Sequence, residues 1–123
     1  TIRQSNSLNV IKAPKLNKEN TKIDWNKSGH EIFNFVRGLC PFPSAWTKDE
    51  KNNKIIKLFN VIYHNETKRK HLNGVISINN NMLKILLKDG YLEVLEIQIE
   101  GKKRMSGKEF INGYRDYDSI RLL

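Results

Sequence analysis

The chain has 123 residues, of which 38% are hydrophobic, and that length fits one domain around one core. Its 22 Lys and Arg outnumber 13 Asp and Glu, a formal net charge of +9, which points to a polyanionic partner such as nucleic acid or an anionic membrane surface. No apolar run approaches the roughly 20 residues that a bilayer-spanning helix needs, so the membrane is the poorer candidate. The single cysteine, Cys40, excludes an intrachain disulfide and fits a reducing compartment.

The first residues, Thr-Ile-Arg-Gln-Ser-Asn-Ser, are polar and do not read as a secretory leader. A start at Thr1 without methionine points to a processed chain or a piece of something longer. Residues 1–22 carry Arg3, Lys12, Lys15, Lys18 and Lys22 against one acid, Glu19. Their apolar residues lack a helical period, so they read as a basic, extended interdomain linker with one short strand near Leu8 to Ile11. Pro14 favours an extended backbone at Ala13.

Residues 23–123 read as the folded domain. Asp24 is expected to bond nearby backbone amides, and Trp25 to plug one end of a barrel. Ser28, with Glu31 three positions later, forms a capping box and starts a helix. Ile32, Phe35, Val36 and Leu39 give its apolar face, and Gly38, Pro41 and Pro43 are expected to stop it. Trp46 is placed in the loop that follows, packed back on the core.

Strands dominate the middle. Lys54 to Tyr63 is apolar on both faces (Ile56, Leu58 and Ile62 against Ile55, Phe59 and Val61), as in a strand covered on both sides. Gly74 to Ile78 is a second strand, and Asn79, Asn80 and Asn81 make a turn. Leu83, Ile85 and Leu87 alternate with Lys84 and Lys88 in a half-buried strand. Asp89-Gly90 is the strongest hairpin signal in the chain. In the return strand, Tyr91 to about Ile99, the alternation changes phase between Val94 and Leu95, which predicts a β-bulge. Ser106 and Glu109 form a second capping box, with Met105 and Phe110 as a hydrophobic staple. Phe110, Ile111 and Tyr114 make the buried stripe of that helix. The tail from Arg115 carries no signal. The fold class is mainly β with flanking helices: a small OB-like antiparallel β-barrel, with one helix before the main strands and one at the C-terminal end.

No catalytic constellation is present. His30, His64 and His71 lack carboxylate or cysteine neighbours at metal-ligand spacing, so neither a catalytic nor a metal site is expected. Cys40 follows a helix C-terminus, where the dipole disfavours a thiolate. The chain has no P-loop and no dinucleotide-binding glycine fingerprint. The basic clusters carry the information instead. They are Lys12, Lys15 and Lys18 in the linker, Lys68-Arg69-Lys70, and Lys102-Lys103-Arg104. Together they predict contacts to phosphates, which position a nucleic acid without reading its sequence. Tyr91 and Tyr114, the aromatics that could stack on bases, read as core residues, which argues against single-strand stacking.

Several stretches in order carry a family resemblance: Ala13-Pro14-Lys15-Leu16, Ile23-Asp24-Trp25, Ile32 through Arg37-Gly38-Leu39, and Pro41-Phe42-Pro43-Ser44-Ala45-Trp46-Thr47. Downstream come Asp89-Gly90 with Leu92 and Leu95, Gly101-Lys102-Lys103, Met105-Ser106, Phe110 and Asn112-Gly113. From about Ala13 to about Arg115 the chain resembles the C-terminal domain of the methionyl-tRNA formyltransferases. The resemblance implies a parent enzyme that transfers a formyl group from 10-formyltetrahydrofolate to methionine on initiator tRNA. It implies that the catalytic Asn, His and Asp lie in an N-terminal domain with no counterpart here, so this chain binds no cofactor and is inactive alone. The implied partners are methionylated initiator tRNA and the enzyme's own catalytic domain, in the cytoplasm, with no membrane and no metal. Lys12, Lys15, Lys18, Lys102, Lys103 and Arg104 are the implied tRNA contacts. Lys68, Arg69 and Lys70 join them on charge, outside the family pattern.

Two other readings fit parts of the pattern. The second domain of a sugar N-formyltransferase resembles the chain through its Asp-Trp and Pro-x-Pro stretches, but tends to lack the stretch that runs here from Gly101 to Ser106. A free-standing OB-like RNA-binding module would have a gene start immediately before Thr1.

Overall fold

Helix α1, Gly29–Leu39, begins where the local chemistry demands it. Ser28 is extended, its hydroxyl accepts the Glu31 N–H, and the Glu31 carboxylate accepts the Ser28 N–H at 3.2 Å. The Ser28 backbone bond, then its hydroxyl, holds the Glu31 carboxyl below its ordinary pKa. Ile32 and Val36 are buried, while Phe33, Phe35 and Leu39 lean partly buried on the core. Gly38 does not end the helix, contrary to the sequence expectation. It lies in the last turn, and the stop falls at Cys40, which is extended at φ −83. The reason is Pro41, whose ring disfavours a helical residue before it. The computed structural model describes residues 20–40, 43–66, 73–79 and 81–123. The strand expected near Leu8, the linker up to Glu19 and Asn80 lie outside the described residues.

Six antiparallel strands follow: β1 (Ala45–Lys48), β2 (Ile55–Asn65), β3 (Val75–Asn79), β4 (Met82–Leu87), β5 (Gly90–Ile99) and β6 (Met105–Ser106). Their order in the sheet is β1-β2-β5-β4-β3, with β6 paired to β5. Trp46 is therefore a strand residue and not part of a loop. The expected bulge in β5 is present and has a companion. The register runs Leu58↔Ile97, Asn60↔Glu96, Val61↔Val94, which leaves Phe59 and Leu95 without partners. The double slip returns Ile97 and Ile99 to the core face that holds Leu92 and Val94. It also explains the two-faced look of β2. That strand changes phase and is not covered on both sides, and Ile62 is 43% exposed.

Helix α2, Gly107–Gly113, carries the second capping box, with the Ser106 hydroxyl accepting from the Glu109 N–H at 3.1 Å. Phe110 and Ile111 are buried, and Tyr114 packs partly buried against them. The β4–β5 turn pins α1 from the far side of the sequence. The Gly29 N–H donates to both oxygens of Asp89, at 2.9 and 3.2 Å, supplying a charged acceptor at the positive end of the helix. Asp89→Ala is expected to lower stability by about 1–2 kcal/mol, read from chemical denaturation, with Asp89→Asn losing less.

The closed OB-like barrel expected from the sequence is not formed. The six strands make one open antiparallel sheet, and no ladder joins edge strand β1 to edge strand β3. The chain end lies between these edges. After a 3-10 turn at Arg115–Tyr117, Arg121 bridges Val75 and Leu122 bridges Asp49. Ile120 and Leu122 are buried in the core cluster. Tyr117 donates to the buried Asp49 carboxylate at 3.4 Å and accepts from the Asn52 amide at 3.3 Å. Burial raises the Tyr117 pKa above 10.0, the Asn52 bond opposes this, and the Asp49 charge adds to it. The neutral phenol thus favours the fold below pH 10.0, and that contribution goes as pH rises past the raised value.

Candidate nucleic-acid interface

Alternation along the strands sends one set of side chains inward and the other to a face that neither helix covers. In β1, Ala45 and Thr47 are fully buried, so Trp46 points outward. Trp46 pairs with Lys57, and Lys57 with Gln98, forming a row across three strands. Beyond the bulge, Val61 and Val94 point inward, and His64, Tyr91 and Glu93 lie on the outer face.

Three cation–aromatic pairs stand on this face. The Lys22 ammonium lies 5.8 Å from the Trp46 ring centroid, the Arg104 guanidinium 4.2 Å from that of Phe59, and the Lys84 ammonium 4.5 Å from that of Tyr91. Each is worth about 0.5–1 kcal/mol at an exposed site. His64 stacks on Tyr91 with centroids 4.7 Å apart and planes 19° from parallel, and its Nε2 lies 3.0 Å from Glu93. Phe59 is buried outside the core cluster, as the bulge turns it under Arg104. Sequence reasoning did not place Lys22, Lys57, Lys84, Trp46 and Tyr91 together on this outer face. Tyr91, read as core, is half-exposed on the outer face. The signal that could have found it is its alternation with Leu92 and Val94, the residues that face the core.

The loop bearing Lys102, Lys103 and Arg104 joins β5 to β6. The Lys102 N–H donates to the Ile99 carbonyl at 2.9 Å, and its own carbonyl accepts from the Gln98 amide at 2.9 Å. Gly101 sits at φ +83, the left-handed third position that a type II turn requires. The backbone is thus anchored while all three basic side chains stay exposed. Lys102 and Lys103 pair with no acidic group among the described residues. Arg104 lies 3.0 Å from Glu96, both side chains being about two-fifths exposed, at 43% and 40%. An exposed pair of this kind is worth about 0–1 kcal/mol, so a phosphate can draw Arg104 away at small cost.

The other predicted contacts, Lys12, Lys15, Lys18, Lys68, Arg69 and Lys70, lie outside the described residues, as does His71. His30 is exposed, and Cys40 is a half-buried free thiol. Asp24 accepts the Asn26 N–H at 3.0 Å, and Trp25 is buried, its indole donating to Thr47 at 2.9 Å. Among the described residues no group of three His, Cys, Asp or Glu is placed to hold a metal ion, and no helix is long and apolar enough to cross a membrane.

Residues 15–115 match the family model described as formyl transferase, C-terminal domain. Proteins named methionyl-tRNA formyltransferase are similar over most of the chain. The one from Flavobacterium johnsoniae is 40% identical over 99% of this chain and 39% of its own length. That from Phocaeicola vulgatus is 34% identical over 98% and 38%, and that from Chlorobium limicola 39% identical over 92% and 36%. The chain spans about two-fifths of the length of these curated relatives. Among solved structures, a variant of HypX from Aquifex aeolicus superposes with a TM-score of 0.61 over 91% of this chain and 19% of that one, at 18% identity. That likeness shows a shared fold. The open, bulged sheet, its two capped helices and the matched residues agree: the chain belongs to the formyl transferase C-terminal domain family.

Proposed function

We propose that this chain is the tRNA-positioning C-terminal domain of a methionyl-tRNA formyltransferase, working in the cytoplasm. On this reading a catalytic domain elsewhere in the whole protein holds 10-formyltetrahydrofolate and transfers its formyl group to methionine on initiator tRNA. The present domain holds the tRNA backbone and does no chemistry. The observation that carries the reading is the Lys102-Lys103-Arg104 loop. Its main chain is hydrogen-bonded to β5, and its cations stand beside a face bearing Lys57 and Lys84. Such an array holds phosphates by charge and is indifferent to base sequence. The Gly-Lys-Lys-Arg-Met-Ser stretch from Gly101 to Ser106 supports this reading over a sugar N-formyltransferase.

The test is the affinity of the chain for initiator tRNA as salt is raised. About five phosphate contacts give a log–log slope near −4. Lys102→Ala with Lys103→Ala is expected to make the slope shallower by about 1 for each phosphate that is no longer neutralised. The melting temperature should not move, because both side chains are exposed. Binding that ignores salt, or a double variant with the parent slope, counts against the reading.

A further inference from the structure

We infer that the outer sheet face binds unpaired nucleotides of its RNA by stacking, with Tyr91 as the principal platform. The inference rests on the RNA reading above and adds a mode of contact to it. Trp46, Phe59 and Tyr91 stand on the adjacent strands β1, β2 and β5, and each carries a cation over its ring. A nucleotide offers a flat base and an attached phosphate. An aromatic ring with a lysine or arginine resting over it matches both once the cation moves aside to the phosphate.

Cross-strand packing alone accounts for the His64–Tyr91 stack. It does not account for Lys84. Glu93 lies directly opposite Lys84 in register, yet the ammonium rests on the Tyr91 ring. The Glu93 carboxylate is engaged by His64, and that of Glu96 by Arg104. Glu93 and Glu96 therefore have partners, while Lys22, Lys57 and Lys84 pair with no carboxylate among the described residues. A base stacked on an aromatic ring is held more strongly than an exposed ammonium over the same ring. An arriving base displaces Lys84, whose long side chain then reaches the flanking phosphate. Charge complementarity commits the face to a polyanion, and its flat rings commit it to single-stranded segments, since bases inside a duplex are stacked on one another.

The test titrates the 123-residue chain with a short oligouridylate and, separately, with an RNA duplex of equal phosphate number. Trp25 is sealed at 6% exposure, so quenching of tryptophan emission reports Trp46. Oligouridylate is expected to quench it and to move the Tyr91 and His64 ring protons upfield, while the duplex does neither. Tyr91→Ala should weaken oligouridylate binding about tenfold, leave duplex affinity unchanged and be rescued by Tyr91→Phe. Equal losses for both probes, or no ring shifts in the parent chain, overturn the inference even where the variant misfolds. If tRNA and duplex bind but oligouridylate does not, stacking fails and the positioning role stands. If no RNA binds, both fail.

Discussion

Deleting residues 119–123 is expected to abolish the cooperative thermal transition of the domain and to leave a chain that associates. The segment covers the edge of β3 and, beside residues 21–23 that bond to Trp46, the far end of the β1 edge. On the β3 side, the Ser119 N–H donates to Ile76, the Ile76 N–H to Ile120, and the Leu122 N–H to Gly74, at 2.7, 2.8 and 2.6 Å. On the β1 side, the Leu123 N–H donates to Lys48 at 2.8 Å, and the Thr47 hydroxyl donates to the Leu123 carbonyl at 2.8 Å. Glu50, just past β1, donates its N–H to Arg121 at 2.9 Å. Removing these partners leaves buried main-chain groups unsatisfied at about 1–3 kcal/mol each, against a total margin of about 5–15 kcal/mol for a domain. It also bares the β3 edge and the end of β1 at Lys48, which can pair with other copies. Circular dichroism on heating and sedimentation velocity read the two effects. Leu122→Ala is the graded version and should cost about 2–5 kcal/mol. A truncated chain that melts as the parent does, as a monomer, would show that the clasp is ornamental.

Gly90→Ala is expected to cost more than about 3 kcal/mol, among the larger losses from a single substitution. Gly90 opens β5 opposite both Leu87 on β4 and Asn65 on β2, with φ at +156. An added Cβ would sit 2.0 Å from the His64 carbonyl oxygen and 3.0 Å from the Asn65 Cα. Both are backbone atoms of the neighbouring strand, so relief requires β2 and β5 to part where they begin to pair. Gly38→Ala should act in the opposite direction. Its Cβ would meet nothing within 4 Å, and alanine in a helix gains about 0.5–1 kcal/mol over glycine. Equilibrium urea unfolding of the two variants measures both signs in one experiment. A neutral Gly90→Ala would mean that the strands separate there at no cost.

The Gly90 case separates what is legible in a sequence from what is not. Asp89-Gly90 marks a hairpin at the right place, but the two-residue turn is Lys88-Asp89, since Leu87 pairs with Gly90. The glycine is needed for the approach of β2, a strand distant in sequence. Asp89 likewise serves the turn and also caps α1, from 60 residues away. The basic loop was legible because charge is a property of composition. Its anchoring through Gln98 and the engagement of Arg104 by Glu96 and Phe59 depended on register.

By itself, the sequence determined the elements whose causes are local. Both capping boxes are closed between residues three apart. The inward set of β4, Leu83, Ile85 and Leu87, follows a period of two, and the bulge of β5 shows as a slip in that period. Strands β1 and β6, with four and two residues, are too short to display any period. Only the tertiary structure decided whether the sheet closes, what lies between its edges and which side of it faces solvent. Periodicity assigns residues to a common face but does not say which face is covered. That choice is set by where the helices and the chain end pack: alternation sets Tyr91 apart from Leu92 and Val94, and the fold decided that its side of the sheet is the open one.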